Sequence, residues 1–187
     1  MNTQFRRVVT GHDANGASIV VSDGPTPFVD TSPVQTSADF FRTDAAPARI
    51  VSRPTETTAG PRRQLPASGG TVLRMNRIPP EPAFLKTITP EAARHAFAAL
   101  GNEKASTWGR GGRHPASHRT ETIDYMIVIE GEVTLLLDHE DVVLRVGDVV
   151  VQCGTDHAWT NRSDKDAVIA FVLIDGAYDD DLKARFG

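Results

Sequence analysis

One stretch of the sequence decides the fold, and it runs from His118 to Asp175: HRTETIDYMIVIEGEVTLLLDHEDVVLRVGDVVVQCGTDHAWTNRSDKDAVIAFVLID. Apolar runs rich in Val, Ile and Leu are separated by the turn-forming sequences GE, DHED, VGD and NRSDKD. Short runs of this composition between turn signals are typical of β-strands. Because the strands follow one another at even spacing, the stretch predicts an antiparallel sandwich or barrel, in which residues distant in sequence meet inside.

The start of this stretch carries a motif that is counted back from Gly131. Asp124 lies seven residues before Gly131, and His118 and Thr120 lie two residues apart before Asp124. It resembles the first motif of the cupin family, which reads His-x-His, Glu and Gly. Thr120 stands at the second His position of that motif, and Asp124 stands in place of its Glu.

A second motif follows in the order that the same family requires. It begins at Gly147–Asp148, continues through an apolar strand to Gly154, and ends with His157 and Asn161. Cys153 occupies a position that is usually Pro in the family. The two motifs together cover about sixty residues, and they are the basis of the resemblance.

The resemblance implies a fold and an organisation for the whole chain. The fold would be an all-β, cupin-type jelly-roll barrel (a double-stranded β-helix) with extra N-terminal strands and one short helix. The chain is interpreted as one domain, in which residues 1–117 wrap strands, a mobile loop and the helix onto a barrel of residues 118–175, and residues 176–187 form a tail. Since cupins often use such extra strands in dimer contacts, the resemblance also implies a homodimer.

The N-terminal part shows its own local patterns. Residues 7–22 predict a hairpin, because Asn and Gly at its centre supply the positive φ that tight turns need. Residues 38–43 and 71–78 predict strands. Residues 45–70 contain many Pro, Ser and Thr residues, and they predict an exposed, mobile loop that buries little apolar area. Residues 89–101 predict a helix with a Thr cap, Pro at its first position and Gly at its end.

Composition excludes several classes of function. The chain has 187 residues, a net charge of -4 and one cysteine. A negative net charge gives no sign of nucleic-acid binding. The sequence has neither an apolar run that could span a membrane nor a signal peptide, and one cysteine excludes an internal disulfide. We therefore expect a cytoplasmic protein whose partners are a small-molecule ligand and a second copy of the chain, with no nucleic acid and no membrane.

Three residues of the two motifs are the candidate catalytic residues: His118, Asp124 and His157. The resemblance implies that they surround one point in the barrel mouth, with Thr120 beside them. Two His and one carboxylate form the ligand set of non-haem iron enzymes, so one reading is a site for a divalent transition metal such as Fe, Mn, Zn or Ni. The other reading is a metal-free, hydrogen-bonded cluster that binds a ligand or transfers protons.

Further residues near the motifs are candidates for contact with a substrate. Positively charged side chains before the first motif suggest an anionic molecule, because Arg binds carboxylates through a bidentate fork. The predicted substrate-binding residues are Arg113, His114, Arg119, Thr120, Met126 and Trp159. The function expected from these observations is an enzyme for a small organic anion, of the oxygenase, decarboxylase, lyase or dehydratase type. The alternative is a non-catalytic cupin that binds a small molecule without metal.

The remaining candidates are interpreted as structural. Cys153 is expected to be a semi-buried thiol, because no neighbouring base is evident that would activate it. Tyr125 lies on the strand face opposite Asp124 and is expected to pack between sheets. His12, His95 and His139 are expected at the surface.

Overall fold

The computed structural model describes residues 5–186, and it is built mostly of strands with two α-helices. The N-terminal strands are β1 (Arg6–His12), β2 (Ser18–Pro25), β3 (Val29–Thr31), β4 (Thr36–Thr43) and β5 (Thr71–Ile78). The C-terminal strands are β6 (Thr122–Glu130), β7 (Glu132–Leu136), β8 (Asp141–Arg145), β9 (Val149–Cys153), β10 (Ala158–Thr160) and β11 (Ala167–Asp175). The helices are α1 (Pro90–Ala99) and α2 (Asp180–Phe186). The prediction of a strand-built jelly roll is confirmed.

The strands form two facing sheets and a separate hairpin. One sheet has six strands in the order β3-β4-β5-β11-β6-β9, and the other has three strands in the order β10-β7-β8. All the pairings are antiparallel. The apolar core contains residues of both sheets: Val72, Ile78, Met126, Val128, Val133, Leu135, Leu144, Ala167, Ile169, Phe171 and Leu173.

The turns of the C-terminal stretch lie where the sequence predicts them. Gly131 separates β6 from β7 with a positive φ of 73°. A side chain at this position would place its Cβ 2.6 Å from the carbonyl oxygen of Asp166. Glycine is therefore required there for two reasons, the backbone conformation and the close approach of another strand.

Strand β6 confirms the alternation of faces that its sequence predicts. Asp124, Met126 and Val128 are buried, whereas Ile123 and Tyr125 are exposed. The expectation that Tyr125 packs between sheets is wrong, because 43% of this residue is exposed on the outer face of the six-stranded sheet. Cys153 at the end of β9 is also exposed rather than semi-buried, because its side chain lies on that same outer face.

The N-terminal elements agree with their local signals. β1 and β2 pair as a hairpin, and Gly16 in its turn has a φ of 80°. The helix α1 begins after Thr89, whose hydroxyl accepts a hydrogen bond from the backbone N–H of Ala92, and Gly101 follows its C-terminal cap. Two short 3₁₀ segments, Ala83–Thr87 and Glu103–Ala105, and the three-residue strand β3 have no clear sequence signal. His12, His95 and His139 are exposed, as expected.

The long segment between β4 and β5 differs from its prediction in one respect. It contains no helix or strand, as its composition indicates. The prediction that it lies exposed is wrong for its second half, because Thr58 and Gln64 are buried. The reason is that β1, β4 and β5 supply hydrogen-bond partners that pull residues 56–64 onto the sheet.

Among residues 5–186, neither helix has the length and apolar character needed to cross a membrane.

Candidate functional site

The candidate site is a cavity of about 760 Å³ between the six-stranded sheet and the N-terminal segments. Strands β4, β5, β6, β10 and β11 supply one part of its wall. The segment between β4 and β5, the 3₁₀ segment Ala83–Thr87 and helix α1 supply the rest. This volume falls in the range of sites for small organic molecules. The N-terminal half of the chain therefore completes the cavity that the cupin-like half begins.

His118 and His157 lie side by side on the cavity wall. Each backbone N–H donates a hydrogen bond to the carbonyl oxygen of the other residue, at 2.9 and 3.0 Å. This antiparallel bridge joins two loops that are far apart in sequence. The two imidazole rings are 4.4 Å apart between centroids.

Backbone carbonyls fix the tautomers of the two histidines. Nδ1 of His118 lies 2.9 Å from the carbonyl oxygen of Ala116, and Nδ1 of His157 lies 2.9 Å from that of Thr155. Since a carbonyl only accepts hydrogen bonds, Nδ1 carries the proton in each neutral ring. The Nε2 atoms are then unprotonated and available to a ligand.

Both imidazoles are held in the neutral form. Burial, and then the neighbouring His118, lower the pKa of His157 to about 3. Burial also lowers the pKa of His118 below its usual value. Aromatic rings contribute to this dry environment: Phe97 of α1 lies 5.2 Å from the His118 ring, and Trp159 lies 5.7 Å from the His157 ring. At neutral pH the pair can accept a proton but does not carry a charge.

Asp124 lies on the wall of the same cavity and is only 5% exposed. Its Oδ1 atom has no hydrogen-bond partner among residues 5–186. Burial raises the pKa of Asp124 to about 6, against smaller opposing effects of a hydrogen bond from Thr122 and the charge of Arg74. A carboxyl group with this pKa exchanges protons near neutral pH, which is the property expected of a general acid or base.

The predicted three-ligand metal centre is not assembled by these residues. Within the part of the chain that the structure describes, no group of three or more His, Cys, Asp or Glu side chains is arranged to hold a metal ion. The donor set that comes together is the two imidazoles, and Asp124 reaches the cavity without completing a triad with them. The described geometry does not fit a three-ligand centre, and the metal remains a prediction.

The predicted substrate-binding residues divide into two groups. His114, Thr120 and Trp159 line the cavity. Arg113, Arg119 and Met126 are not part of its lining. Met126 is fully buried in the core between the sheets, because the alternation that carries Asp124 inward places Met126 one step further into the apolar interior.

The two arginines before the first motif have structural partners instead. Arg113 donates to the carbonyl oxygen of Leu137 at 2.6 Å and pairs with Asp141 at 3.0 Å. Arg119 lies 3.6 Å from Asp156, and its guanidinium carbon is 3.7 Å from the centre of the Phe186 ring. These contacts hold loops and helix α2 on the outside of the barrel, so this pair does not supply positive charge to the cavity wall.

His114 lines the cavity with both ring nitrogens engaged. Nδ1 accepts a hydrogen bond from the N–H of Ala116 at 3.1 Å, and Nε2 lies 3.2 Å from a carboxylate oxygen of Glu81. The hydroxyl of Thr160 donates to the same oxygen of Glu81. His114 therefore fixes the shape of the wall and, unlike His118 and His157, has no ring nitrogen left for a ligand.

A buried charge cluster at the cavity was missed by sequence reasoning. Arg74 of β5 donates to Asp39 of β4 at 2.6 Å, and Arg42 donates to the same carboxylate at 2.6 Å. Burial acts to raise the pKa of Asp39, but the hydrogen bonds and charges of the two arginines lower it below its usual value. Arg62, from the segment between β4 and β5, also lines the cavity. The available signal was a pair of opposite charges inside two otherwise strand-like runs, ADFFRT and TVLRMNRI.

Comparison with known proteins agrees with the barrel assigned to the C-terminal part of the chain. The family described as Cupin domain matches residues 106–174. This part of the chain is similar to cupin domains. The matched region contains both histidines and Asp124 of the cavity, whereas Arg62 and the charge cluster lie outside the cupin domain in the N-terminal half.

Curated relatives match within this cupin domain. Phomopsin biosynthesis cluster protein C' of Diaporthe leptostromiformis is 53% identical over 55 residues, which are 29% of this chain and 29% of that protein. Cupin-domain-containing oxidoreductase virC of Hypocrea virens is 51% identical over 62 residues, which are 31% of this chain and 32% of that protein. The match thus spans less than a third of the relatives' length. Within the aligned residues, this chain is similar to both of these proteins.

Among solved structures, the crystal structure of a Cupin 2 conserved barrel domain protein from Salinispora arenicola aligns with 85% of this chain and 87% of that chain. The TM-score is 0.41 at 13% sequence identity. The assignment of the fold rests on the strand order and pairing described above and on the match of the cupin domain.

Proposed function

We propose that this protein is an enzyme that binds a small organic molecule in the 760 Å³ cavity and transfers protons to and from it. The observation that carries the proposal is the pair of neutral imidazoles of buried His157 and half-buried His118, whose Nε2 atoms are unprotonated. A pair of bases in a dry cavity is costly to maintain unless it interacts with a ligand. The relatives named cupin-domain-containing oxidoreductases support an enzyme over a binding protein.

The residues suit opposite roles in a proton transfer. Nε2 of His157 or His118 is the base that accepts a proton from a C–H or O–H group of the bound molecule. Burial lowers the pKa of His157 to about 3, so this role requires that an anionic group of the bound molecule raise the pKa again. Asp124, with a pKa near 6, is the group that delivers a proton to a departing or neighbouring oxygen when it is protonated. In an elimination of this kind, the C–H proton moves to the imidazole, and the leaving hydroxide takes the proton of Asp124 and departs as one molecule of water. Transfer of the proton from the imidazolium to the Asp124 carboxylate, directly or through solvent, then restores both groups.

The proposal is tested by turnover of a panel of small organic acids, alcohols and phenols, with products followed by mass spectrometry. We expect wild-type protein to convert at least one compound, and we expect His157→Gln to lower the rate by about a hundredfold or more, as loss of a general base does. A matched control is His139→Gln, because His139 is exposed in the turn between β7 and β8. Equal rates in His157→Gln and wild type would contradict the proposed role of the pair.

The mass of the product identifies the reaction class. A product lighter by one water or one carbon dioxide assigns a lyase or dehydratase. A product that differs by two hydrogens or one oxygen assigns redox chemistry of the kind that the relatives' names state. Binding without conversion of any compound would instead favour the non-catalytic alternative.

The metal-dependent version of this function is tested separately by elemental analysis of the purified protein. The proposal of metal-free proton transfer expects substoichiometric Fe, Mn, Zn and Ni, and activity that survives treatment with a chelator. A stoichiometric metal that is lost in both His118→Gln and His157→Gln would contradict metal-free proton transfer and would indicate a metal centre on the two imidazoles. Both rings have the hydrogen-bonded Nδ1 and the unprotonated Nε2 that metal-ligating histidines show.

A further inference from the structure

Arg62 lines the cavity and has an unusual environment for an arginine. Its side chain is only 12% exposed. The nearest carboxylate is that of Asp30, at 3.7 Å, and this carboxylate is itself 48% exposed. The Nε atom of Arg62 is buried and has no hydrogen-bond partner within residues 5–186. Burial, and then the neighbouring charge of Arg74, lower the pKa of Arg62 to about 10.

The surrounding charges leave this end of the cavity positive. Three arginines approach it: Arg42, Arg62 and Arg74. Asp39 is the buried carboxylate that meets them, and it is already bound by both Arg42 and Arg74. A buried guanidinium whose carboxylate partner is 48% exposed and 3.7 Å away is only partly neutralised, which is destabilising. An anion that binds from solution would supply the missing negative charge.

Several contacts fix the segment that carries Arg62. Arg7 donates to both carboxylate oxygens of Glu56, at 2.6 and 3.2 Å, and Thr58 donates to one of them. Arg74 donates to the carbonyl oxygens of Arg63 and Gln64, at 2.5 and 3.3 Å. The backbone on both sides of Arg62 is therefore attached to β1 and β5, which fixes the point on the cavity wall from which the Arg62 side chain extends.

Arg62 and His118 line the same cavity, so a ligand bound by Arg62 shares that cavity with the proposed reaction centre. Gln64 lines the same wall, and its Oε1 atom is buried without a partner among the described residues. An apolar part of the wall adjoins Gln64, whose backbone N–H donates to the carbonyl oxygen of Leu100 at 3.0 Å. It comes from the 3₁₀ segment Ala83–Thr87 and helix α1: Phe84, Leu85, Ile88, Ala96, Phe97 and Leu100.

We propose that Arg62 is the anion-binding residue of this cavity and that the ligand is a small carboxylate with an apolar body, seated with its carboxylate on the Arg62 guanidinium and its body against helix α1. This assignment rests on the proposed function, because it names the ligand class for the same cavity. It places the anionic group in the cavity that His118 also lines, and it puts the recognition residue in a segment outside the residues that match the cupin family. The sequence predicted that Arg113 and Arg119 would supply the positive charge for an anionic ligand, and in this proposal Arg62 supplies it.

The test compares two probes of the same shape, 2-naphthoate and its uncharged amide 2-naphthamide, by calorimetric titration at pH 8. We expect wild-type protein to bind the carboxylate about tenfold more tightly or better, the range for a charged hydrogen-bonded pair. Arg62→Gln should remove this preference by weakening naphthoate and should leave naphthamide within about twofold, since the apolar wall is unchanged. Arg62→Lys should retain part of the preference, because it keeps the charge and loses the fork.

Arg63→Gln is the matched control, because it removes the same charge from the neighbouring, exposed side chain. It should leave both affinities unchanged. Equal binding of the two probes to wild type overturns the anion site and leaves the proposed cavity function standing, and this comparison needs no variant to fold. A preference that survives in Arg62→Gln overturns the assignment to Arg62. Failure of wild type to bind either probe overturns this inference, whereas the proposed function is decided separately by turnover of the compound panel.

Discussion

A single carboxyl group, Asp124, shows how position on a strand creates chemistry. Alternation along β6 turns Asp124 inward together with the core residues Met126 and Val128. Burial stabilises the apolar side chains of Met126 and Val128, but it disfavours the charged form of Asp124. The result is a carboxyl group with a pKa near 6, beside two histidines that burial holds neutral.

Replacement of Asp124 by Asn should therefore stabilise the protein above pH 6. The pKa of Asp124 is about 6 in the folded state and 3.8 ordinarily. Between pH 3.8 and 6 the Asp124 carboxyl group is protonated in the folded state and ionised in the unfolded state. The wild-type protein therefore loses stability as the pH rises from 3.8 through 6. Since one pKa unit is about 1.4 kcal/mol, the unfolding free energy of Asp124→Asn relative to wild type should rise by about 3 kcal/mol across this window.

The measurement is urea unfolding of both proteins at several pH values between 3.5 and 8. The histidines titrate in both proteins and cancel in the difference. Asp138→Asn, at an exposed turn, is the control and should show no comparable trend. A difference that stays constant with pH would mean that Asp124 is solvated or paired.

At the scale of elements, the segment between β4 and β5 has two unlike halves. Residues 44–55 are mostly exposed, and Ile50 is 90% exposed. Residues 56–64 are fastened by Arg7 and Arg74, and hydrogen bonds from Arg7 lower the pKa of Glu56 to about 2. Composition is similar along the segment, so only the contacts distinguish the half that forms the cavity wall.

Limited proteolysis with trypsin should reveal this division. We expect the first cut after Arg49, because the following residue, Ile50, is almost fully exposed. Cutting after Arg63 should be slow in wild type, since the carbonyl of Arg63 accepts a hydrogen bond from Arg74. Arg7→Gln should raise the rate at Arg63 by about tenfold, because it releases Glu56, and fragments are identified by mass spectrometry. Equal initial rates at Arg49 and Arg63 in wild type would show that the anchors do not hold the segment.

At the scale of the whole molecule, the outer face of the six-stranded sheet is apolar. Tyr125 of β6 lies opposite Val151 of β9, and Ile127 lies opposite Val149. All four are exposed, Val151 by 58%. Contiguous apolar surface of this kind is typical of an interface rather than of a face in water. The homodimer that the cupin resemblance implies remains a prediction, and this face is where we expect the second copy to pack.

Val151→Glu should convert that dimer into monomers. The change places a charge among the exposed apolar side chains of β6 and β9, where a dimer would have to desolvate it. Light scattering after size-exclusion chromatography should give twice the 20.2 kDa chain mass for wild type and the single mass for the variant. Val143→Glu is the control, since Val143 is exposed on the other sheet. A monomeric wild type at micromolar concentration would contradict the prediction.

The sequence alone determined the strands, their turns and the inward face of β6. These follow from local rules: apolar runs between turn residues, glycine at positive φ, and alternation of side chains along a strand. The cupin motifs added that His118 and His157 would meet, which the reciprocal backbone hydrogen bonds confirm. Each of these conclusions depends on residues that are close in sequence or on a motif with fixed spacing.

Only the tertiary structure decided which charges reach the cavity. The sequence offered Arg113 and Arg119 because they precede the first motif, yet their guanidinium groups bind Asp141 and Asp156 on the outside. Arg62 looked like part of a loop without structure, and it reaches the cavity because Arg74 and Arg7, from distant strands, bind its segment. The fate of a long, flexible charged side chain depends on partners that sequence spacing does not specify, whereas the period of a strand is set by its own backbone.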